Sequence, residues 1–216
     1  MKKTEKHTDI TLEYYNKNAS AFSADTQNVD FWDFQKDFLR FIPDGGLILD
    51  LGCGAGRDSK AFIDAGYRVD AVDGSEALCK IAESHIGKSV TCTRFQDFEP
   101  QGMYDGIWAC ASLLHLNPDE ISELLKKLVE HLKPSGYMYL SFKYGEFAGF
   151  KSGRFFQNMT EGNFRRLLQA IPSFHVVKET ITCDVRPGRE NEQWLNIIIS
   201  NTQDKEHLRI IENSLL

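Results

Sequence analysis

The chain reads as an α/β protein: a mostly parallel sheet with helices on both faces and an antiparallel hairpin near its C-terminal end. Three observations predict this. Short apolar runs punctuated by glycine and proline alternate with segments of helical period, the pattern of a parallel sheet covered by helices. One of those runs, ending at Asp50, passes into Gly52-Cys53-Gly54-Ala55-Gly56 just before a helical segment, as a strand does when it turns tightly into a helix. Two later runs, 174–182 and 194–200, are joined through Arg186-Pro187-Gly188-Arg189 and read as a hairpin. A length of 216 residues suits one domain with a full-sized core over 8–202, with a mobile tail at 1–7 and an extension at 203–216.

In chain order, the spacing predicts helices over 10–24 and 31–41, then a strand at 47–50. A helix over 58–65 follows, closed by Gly66 as its C-terminal cap. Next come a strand at 68–73, a helix over 75–85 and strands at 90–94 and 106–109. The helix after them is the best specified: Asn117 caps it, Pro118 suits its first turn and Glu120 closes a capping box. Ile121, Leu124, Leu125, Leu128, Val129 and Leu132 fall on one face, and 133–136 ends it. After a strand at 137–142, the segment 145–158 is glycine-rich and aromatic without a period, which predicts an irregular excursion over a site. A helix over 160–170 precedes the hairpin.

The glycine turn points to a nucleotide. Gly52, Gly54 and Gly56 let a ligand approach the main chain, and the helix beginning at Arg57 and Asp58 offers unpaired amides. Asp73 ends the next strand about twenty residues on, where a ribose diol would lie. The spacing is G-x-G-x-G, not the G-x-G-x-x-G of a dinucleotide fold, and Asp50 stands two residues before it. A carboxylate there repels a diphosphate and attracts a cationic amino-acid ligand.

Residues 50–58 thereby resemble the first motif of the class I S-adenosylmethionine (SAM) dependent methyltransferases, and the likeness runs over roughly 10–200. It implies a Rossmann-like sheet whose last strand is antiparallel, with its site at the strand ends between strands one and four. It also implies SAM as cofactor. Gly52, Gly54 and Gly56 would then surround the methionine part and Asp73 would accept from both ribose hydroxyls, with Asp50, Cys53, Arg57, Asp58, Gly74 and Ser75 also on the cofactor. Gln96, Asp97 and Phe98 would meet the adenine, with Cys110 and Ala111 at the end of strand four. The helix holding Tyr14 looks like one folded across the cofactor, with Tyr14 near its carboxylate or sulfur. The competing account makes Ile10, Tyr14, Ala21 and Phe22 the stripe of a docking helix.

On the acceptor side, strand four leads to His115, an imidazole able to take a proton near neutral pH. The alternative is a histidine bonded to its own loop backbone. Neither the N-P-P-Y run of amino-methylating nucleic-acid enzymes nor the Pro-Cys pair of the cytosine C5 type follows this strand, so both classes lose weight. Cys110 reads as a small apolar residue. Segments 140–145, 153–156 and 184–196 resemble bacterial tellurite-resistance-like methyltransferases. Lys143, Arg154, Arg186 and Arg189 could converge on an anionic acceptor, or be a solvated surface. Segment 144–158 and the turn at 186–189 would close over the acceptor, with Arg154 or Arg189 touching it.

Composition narrows the partners. A net charge of −6 argues against non-specific nucleic-acid binding. No apolar stretch has membrane length, and the basic start lacks an apolar continuation. Five scattered cysteines without a C-x-x-C pair suit a reduced, cytoplasmic protein, and no metal-ligand spacing occurs. The expectation is methyl transfer from SAM to a small-molecule acceptor by in-line displacement. The rivals are a methyltransferase for tRNA or protein, and a SAM-binding regulator without turnover. A short-chain dehydrogenase would need a Tyr-x-x-x-Lys pair that is missing.

Overall fold

The structure, a computed structural model, describes residues 3–202, with side chains from His7 onward. Helices α1 (Lys3–Thr26) and α2 (Trp32–Leu39) lead into β1 (Leu47–Leu51), α3 (Arg57–Asp64), β2 (Arg68–Asp73), α4 (Glu76–Ile86) and β3 (Thr91–Cys92). Then come β4 (Tyr104–Ala109), a 3-10 turn (Leu113–His115), α5 (Pro118–His131) and β5 (Leu132–Lys143). The chain continues through β6 (Ala148–Lys151), β7 (Arg154–Gln157), α6 (Glu161–Leu168), β8 (Phe174–Cys183) and β9 (Gln193–Asn201).

Seven strands form one sheet in the order β3-β2-β1-β4-β5-β9-β8. Strands β1 to β5 are parallel, and β9 runs antiparallel between β5 and β8. The central strands are apolar on both faces, as a doubly covered parallel sheet requires. From β1 and β4, Leu49 and Ile107 join one core with α5, while Ile48 and Trp108 join a second with α2 and α3. In the second core, Trp108 and Tyr139 stack with ring centroids 3.9 Å apart. Helix α5 has the expected capping box, and Ile121, Leu124, Leu125 and Leu128 are buried along it.

Three elements differ from the sequence reading. Helix α1 already includes residues 3–7, placed in a tail above, and His7 is buried with Nε2 3.0 Å from Glu120 Oε2. Strand β5 begins at Leu132 instead of ending the helix at 133–136. A register shift against β4, between Tyr104 and Gly106, absorbs the extra residues. The excursion at 145–158 is an ordered hairpin of β6 and β7. Its turn, Ser152-Gly153, has positive φ at both residues (49° and 79°), the hairpin geometry that matches strand twist. Strands of four residues are too short to show a period. The extension at 203–216 lies outside the described residues.

Candidate active site

The carboxyl ends of β1, β2, β4 and β5 open into a cleft of about 240 Å³, closed over by α1, β7 and the β8–β9 turn. Strand order reverses between β1 and β4, where parallel α/β sheets open a crevice. At that point β1 leaves through Gly52, whose φ is 86°, and a Cβ there would lie 2.4 Å from that of Ser112. Only glycine allows the exits of β1 and β4 to approach so closely.

The amides after β1 are stitched to β2. Gly52 and Cys53 donate to the Val72 carbonyl, and Gly54 N donates to Asp73 Oδ2 at 2.9 Å. Ser75 N donates to the other oxygen of Asp73 at 2.8 Å. With about four acceptor sites on a carboxylate, these amides leave capacity for a ligand hydroxyl. Burial raises Asp73 to about 6 in spite of these amides.

Beside them, Arg57 grips Asp58 through Nε and Nη2, at 2.8 and 2.9 Å. Asp58 also accepts from Gln35 Nε2 at 2.6 Å and Trp108 Nε1 at 2.8 Å. Burial alone would raise Asp58, but Arg57 and these donors hold it below the usual carboxylate range. Asp50 is 2% exposed and accepts from Ser59 Oγ at 2.6 Å. Burial, then the Asp58 carboxylate, push Asp50 well above the usual range. The proton of this pair therefore resides on Asp50 and the charge on Asp58, where Arg57 balances it.

Tyr15, His115 and Arg154 also line the cleft. His115 Nδ1 lies 2.6 Å from the Phe155 carbonyl, which can only accept, so Nδ1 carries the proton. Nε2 then accepts from Tyr15 Oη at 2.8 Å. Burial, with Arg154 adding to it, lowers His115 to about 4 and keeps the imidazole neutral. Burial also raises the Tyr15 phenol, which stays protonated. Arg154 Nη1 donates to Tyr15 Oη at 3.3 Å, and its guanidinium lies over the Tyr14 ring, 4.4 Å from the centroid.

Residues 48–136 match a family described as a methyltransferase domain. The N-terminal Xaa-Pro-Lys N-methyltransferase 1 of Mus musculus is 30% identical over 127 residues, covering 52% of this chain and 57% of that protein. The cypemycin N-terminal methyltransferase of a Streptomyces species is 33% identical over 102 residues, 45% of this chain and 42% of that one. The chain spans about half the length of these relatives. Among solved structures, the 1,6-didemethyltoxoflavin-N1-methyltransferase of Burkholderia thailandensis, with S-adenosylhomocysteine bound, superposes with a TM-score of 0.74. It is 19% identical, with 94% of this chain and 92% of that chain covered. The magnesium protoporphyrin IX methyltransferase of Synechocystis PCC 6803 gives 0.66 at 18% identity, covering 90% and 99%. Residues 48–136 thus match a methyltransferase domain, and the sheet that carries them has the fold of SAM-dependent methyltransferases of known structure.

Of the positions expected to serve the site, Gly52, Cys53, Gly54, Arg57, Asp58, Asp73, Gly74, Gln96, Cys110 and Ala111 line the cleft, as do His115, Arg154 and Arg189. Other expected positions lie off its surface. Asp50 is buried beneath the turn, bonded to Ser59, and does not reach the cleft. Gly56 faces α4, where a Cβ would stand 3.2 Å from Ala82 Cα, so its freedom serves helix packing. Ser75 is fully buried as the cap of α4, accepting from Leu78 N and donating to Asn16 Oδ1. Asp97 points to solvent and Phe98 into the core; Phe95 is the aromatic that reaches the cleft. Tyr14 supports Arg154 from behind, and its neighbour Tyr15 lines the cleft instead.

The sequence reading had missed Tyr15, Phe95 and Ser112. The signal for Tyr15 was a second face of α1, through Thr8, Thr11, Leu12 and Tyr15, at helical spacing. SAM fits this surface by its chemistry. The Asp73 carboxylate has lone pairs for a diol, Phe95 and Leu78 flank an apolar slot, and Ser112 Oγ is buried at the cleft without a partner.

Proposed function

We propose that the protein transfers the methyl group of SAM to a small-molecule acceptor by in-line displacement. The observation that carries this reading is the enclosure of the cleft: α1, with Leu12 over Gly74 and Asn16 on Ser75, and β7, with Arg154 and Phe156, cover it and leave room for a small acceptor. Bound SAM supplies an electrophilic methyl group on a sulfonium. Asp73, with Gly52, Gly54 and Gly74, holds the nucleoside end, while Cys110, Ala111 and Ser112 border the reacting centre. Positioning of this kind removes on the order of 7 to 11 kcal/mol from a two-reactant barrier.

A base with a pKa near 4 is poorly matched to neutral pH. His115 therefore serves as the acceptor that fixes the Tyr15 hydroxyl, and Tyr15 is the group facing the acceptor. Arg154 and Arg189 stand on the acceptor side, the second at the cleft rim. The test is purified protein, isotopically labelled SAM and a pool of small metabolites, followed by release of S-adenosylhomocysteine. Label in a small product supports the reading, and bound SAM with no turnover on any pool favours the regulator.

A second reading has its own support in the two relatives named for N-terminal methylation. Methylation of a peptide N-terminus requires the cleft to admit an extended chain. Synthetic peptides with free and acetylated amines, assayed against the same labelled SAM, separate the two.

A further inference from the structure

The acceptor end of the cleft holds four cations, and among the described residues they differ in one respect. Lys143 is paired with Glu192, Arg186 with Asp184 and Arg189 with Asp25. Arg154 has no carboxylate. Its guanidinium is stacked over Tyr14 and lies 5.1 Å from the Phe156 ring centroid. The rings hold the plane of the group but occupy none of its N–H donors. One donor reaches Tyr15 Oη at 3.3 Å, and Nε is buried with no partner at all. Arginine cannot relieve such a position by losing its proton. A half-buried guanidinium with spare donors, lining a cleft, is matched by an oxyanion with paired acceptors.

We propose that Arg154 anchors an anionic group of the methyl acceptor, so that the substrate is a small organic monoanion, a carboxylate, whose reacting atom lies beside Tyr15. This rests on the methyltransferase reading above. Charge balance selects the class. One uncompensated cation neutralises one negative charge, whereas a phosphate dianion would need a second cation released from its acid. Geometry selects the place, because Arg154 and His115 share Tyr15 Oη as a common partner. The same balance moves Arg189, an anchor candidate from sequence, to a structural role: its Nη2 is 3.0 Å from Asp25 of α1.

The test is calorimetry on full-length protein saturated with S-adenosylhomocysteine, titrated with benzoate against benzamide and salicylate against salicylamide. Each carboxylate is expected to bind at least tenfold tighter than its amide. Arg154→Gln should bring each pair within threefold while S-adenosylhomocysteine affinity stays unchanged. Arg154→Met, which keeps the stem packed on Tyr14, serves if that variant does not fold. Equal binding of both members by the unsubstituted protein, or a preference that survives both variants, overturns the anchor. Failure to bind S-adenosylhomocysteine at all would overturn the methyltransferase reading with it, whereas normal binding without a carboxylate preference sinks the anchor alone.

Discussion

Tyr15 and His115 form one unit: the phenol donates to Nε2 at 2.8 Å across 100 residues of chain, while Nδ1 is spent on the Phe155 carbonyl. Neither group is free to change alone. Groups that act as a unit show non-additive substitution effects. Tyr15→Phe and His115→Asn should each lower methyl transfer at least tenfold, with S-adenosylhomocysteine affinity held within threefold. The double variant should be no slower than the worse single one. Turnover of labelled SAM for all three checks this, and multiplied losses would show that the pair does not act together.

Asp73 gives ligand binding a pH dependence of definite sign. Ribose hydroxyls donate best to the charged carboxylate, so S-adenosylhomocysteine affinity should fall as pH drops through about 6. Neighbouring Asp58 stays ionised there and Asp50 stays protonated, since they are displaced in opposite directions. Asp73→Ala should weaken binding ten- to a hundredfold, for a charged hydrogen bond worth about 1.5 to 3 kcal/mol. Asp73→Asn should flatten the pH profile. Without ligand the sign reverses: a raised carboxyl stabilises the fold below its unfolded value near 3.8, and this stability is lost as pH rises through about 6. A pH-independent affinity in the unsubstituted protein would remove Asp73 from the ribose.

His115 predicts acid sensitivity. Its folded pKa, about 4, lies below the unfolded 6.5, so its contribution is complete above 6.5 and disappears as pH falls towards 4. The difference corresponds to roughly 3 kcal/mol. Urea unfolding at pH 7.5 and 5.0 should show about 2 kcal/mol of this loss, and His115→Asn should reduce the slope.

Glycines at two positions should respond oppositely to alanine. Gly52 combines a φ of 86° with a Cβ clash against Ser112, so Gly52→Ala should destabilise by several kcal/mol, above the ~1 to 3 of strain alone. Gly162, in the first turn of α6 with nothing within 4 Å, should gain about 0.4 to 1 kcal/mol from Gly162→Ala. Denaturant midpoints decide both.

What was legible in the sequence follows from the range of the forces involved. Strands β1, β2 and β4, helix α5 with its cap and the C-terminal hairpin are specified by local period and capping, and each was read within a few residues. The place of Asp73 at the cleft was legible because strand length fixes its spacing from the glycines. The face of α1 was not found, since it is half polar: Thr8, Thr11 and Asn16 bond to Gln96, Phe155 and Ser75, contacts made only after folding. Tyr14 and Tyr15 are adjacent, so a small error in helix phase exchanges them. Phe95 and Phe98 were confused for a similar reason, because β3 has only two residues and leaves the following loop without a phase. Arg154 could be listed among four cations, but the acids that neutralise the others lie up to 164 residues away.

Helix α1 also bears on how the chain is made. Its partners Glu120, His115, Phe155 and Arg189 follow it by 113, 100, 144 and 164 positions. A growing polypeptide therefore presents Leu12, Tyr15 and Phe22 to water long before their cover has been translated. Ring closure over such spans adds little free energy, because that cost grows only logarithmically with length. Waiting time is what grows: at about 5 to 20 residues per second, the interval from α1 to Arg189 lasts about ten to thirty seconds. During that interval the half-polar helix that will roof the cleft stands with these apolar side chains uncovered, open to capture by chaperones before the pocket beneath it exists.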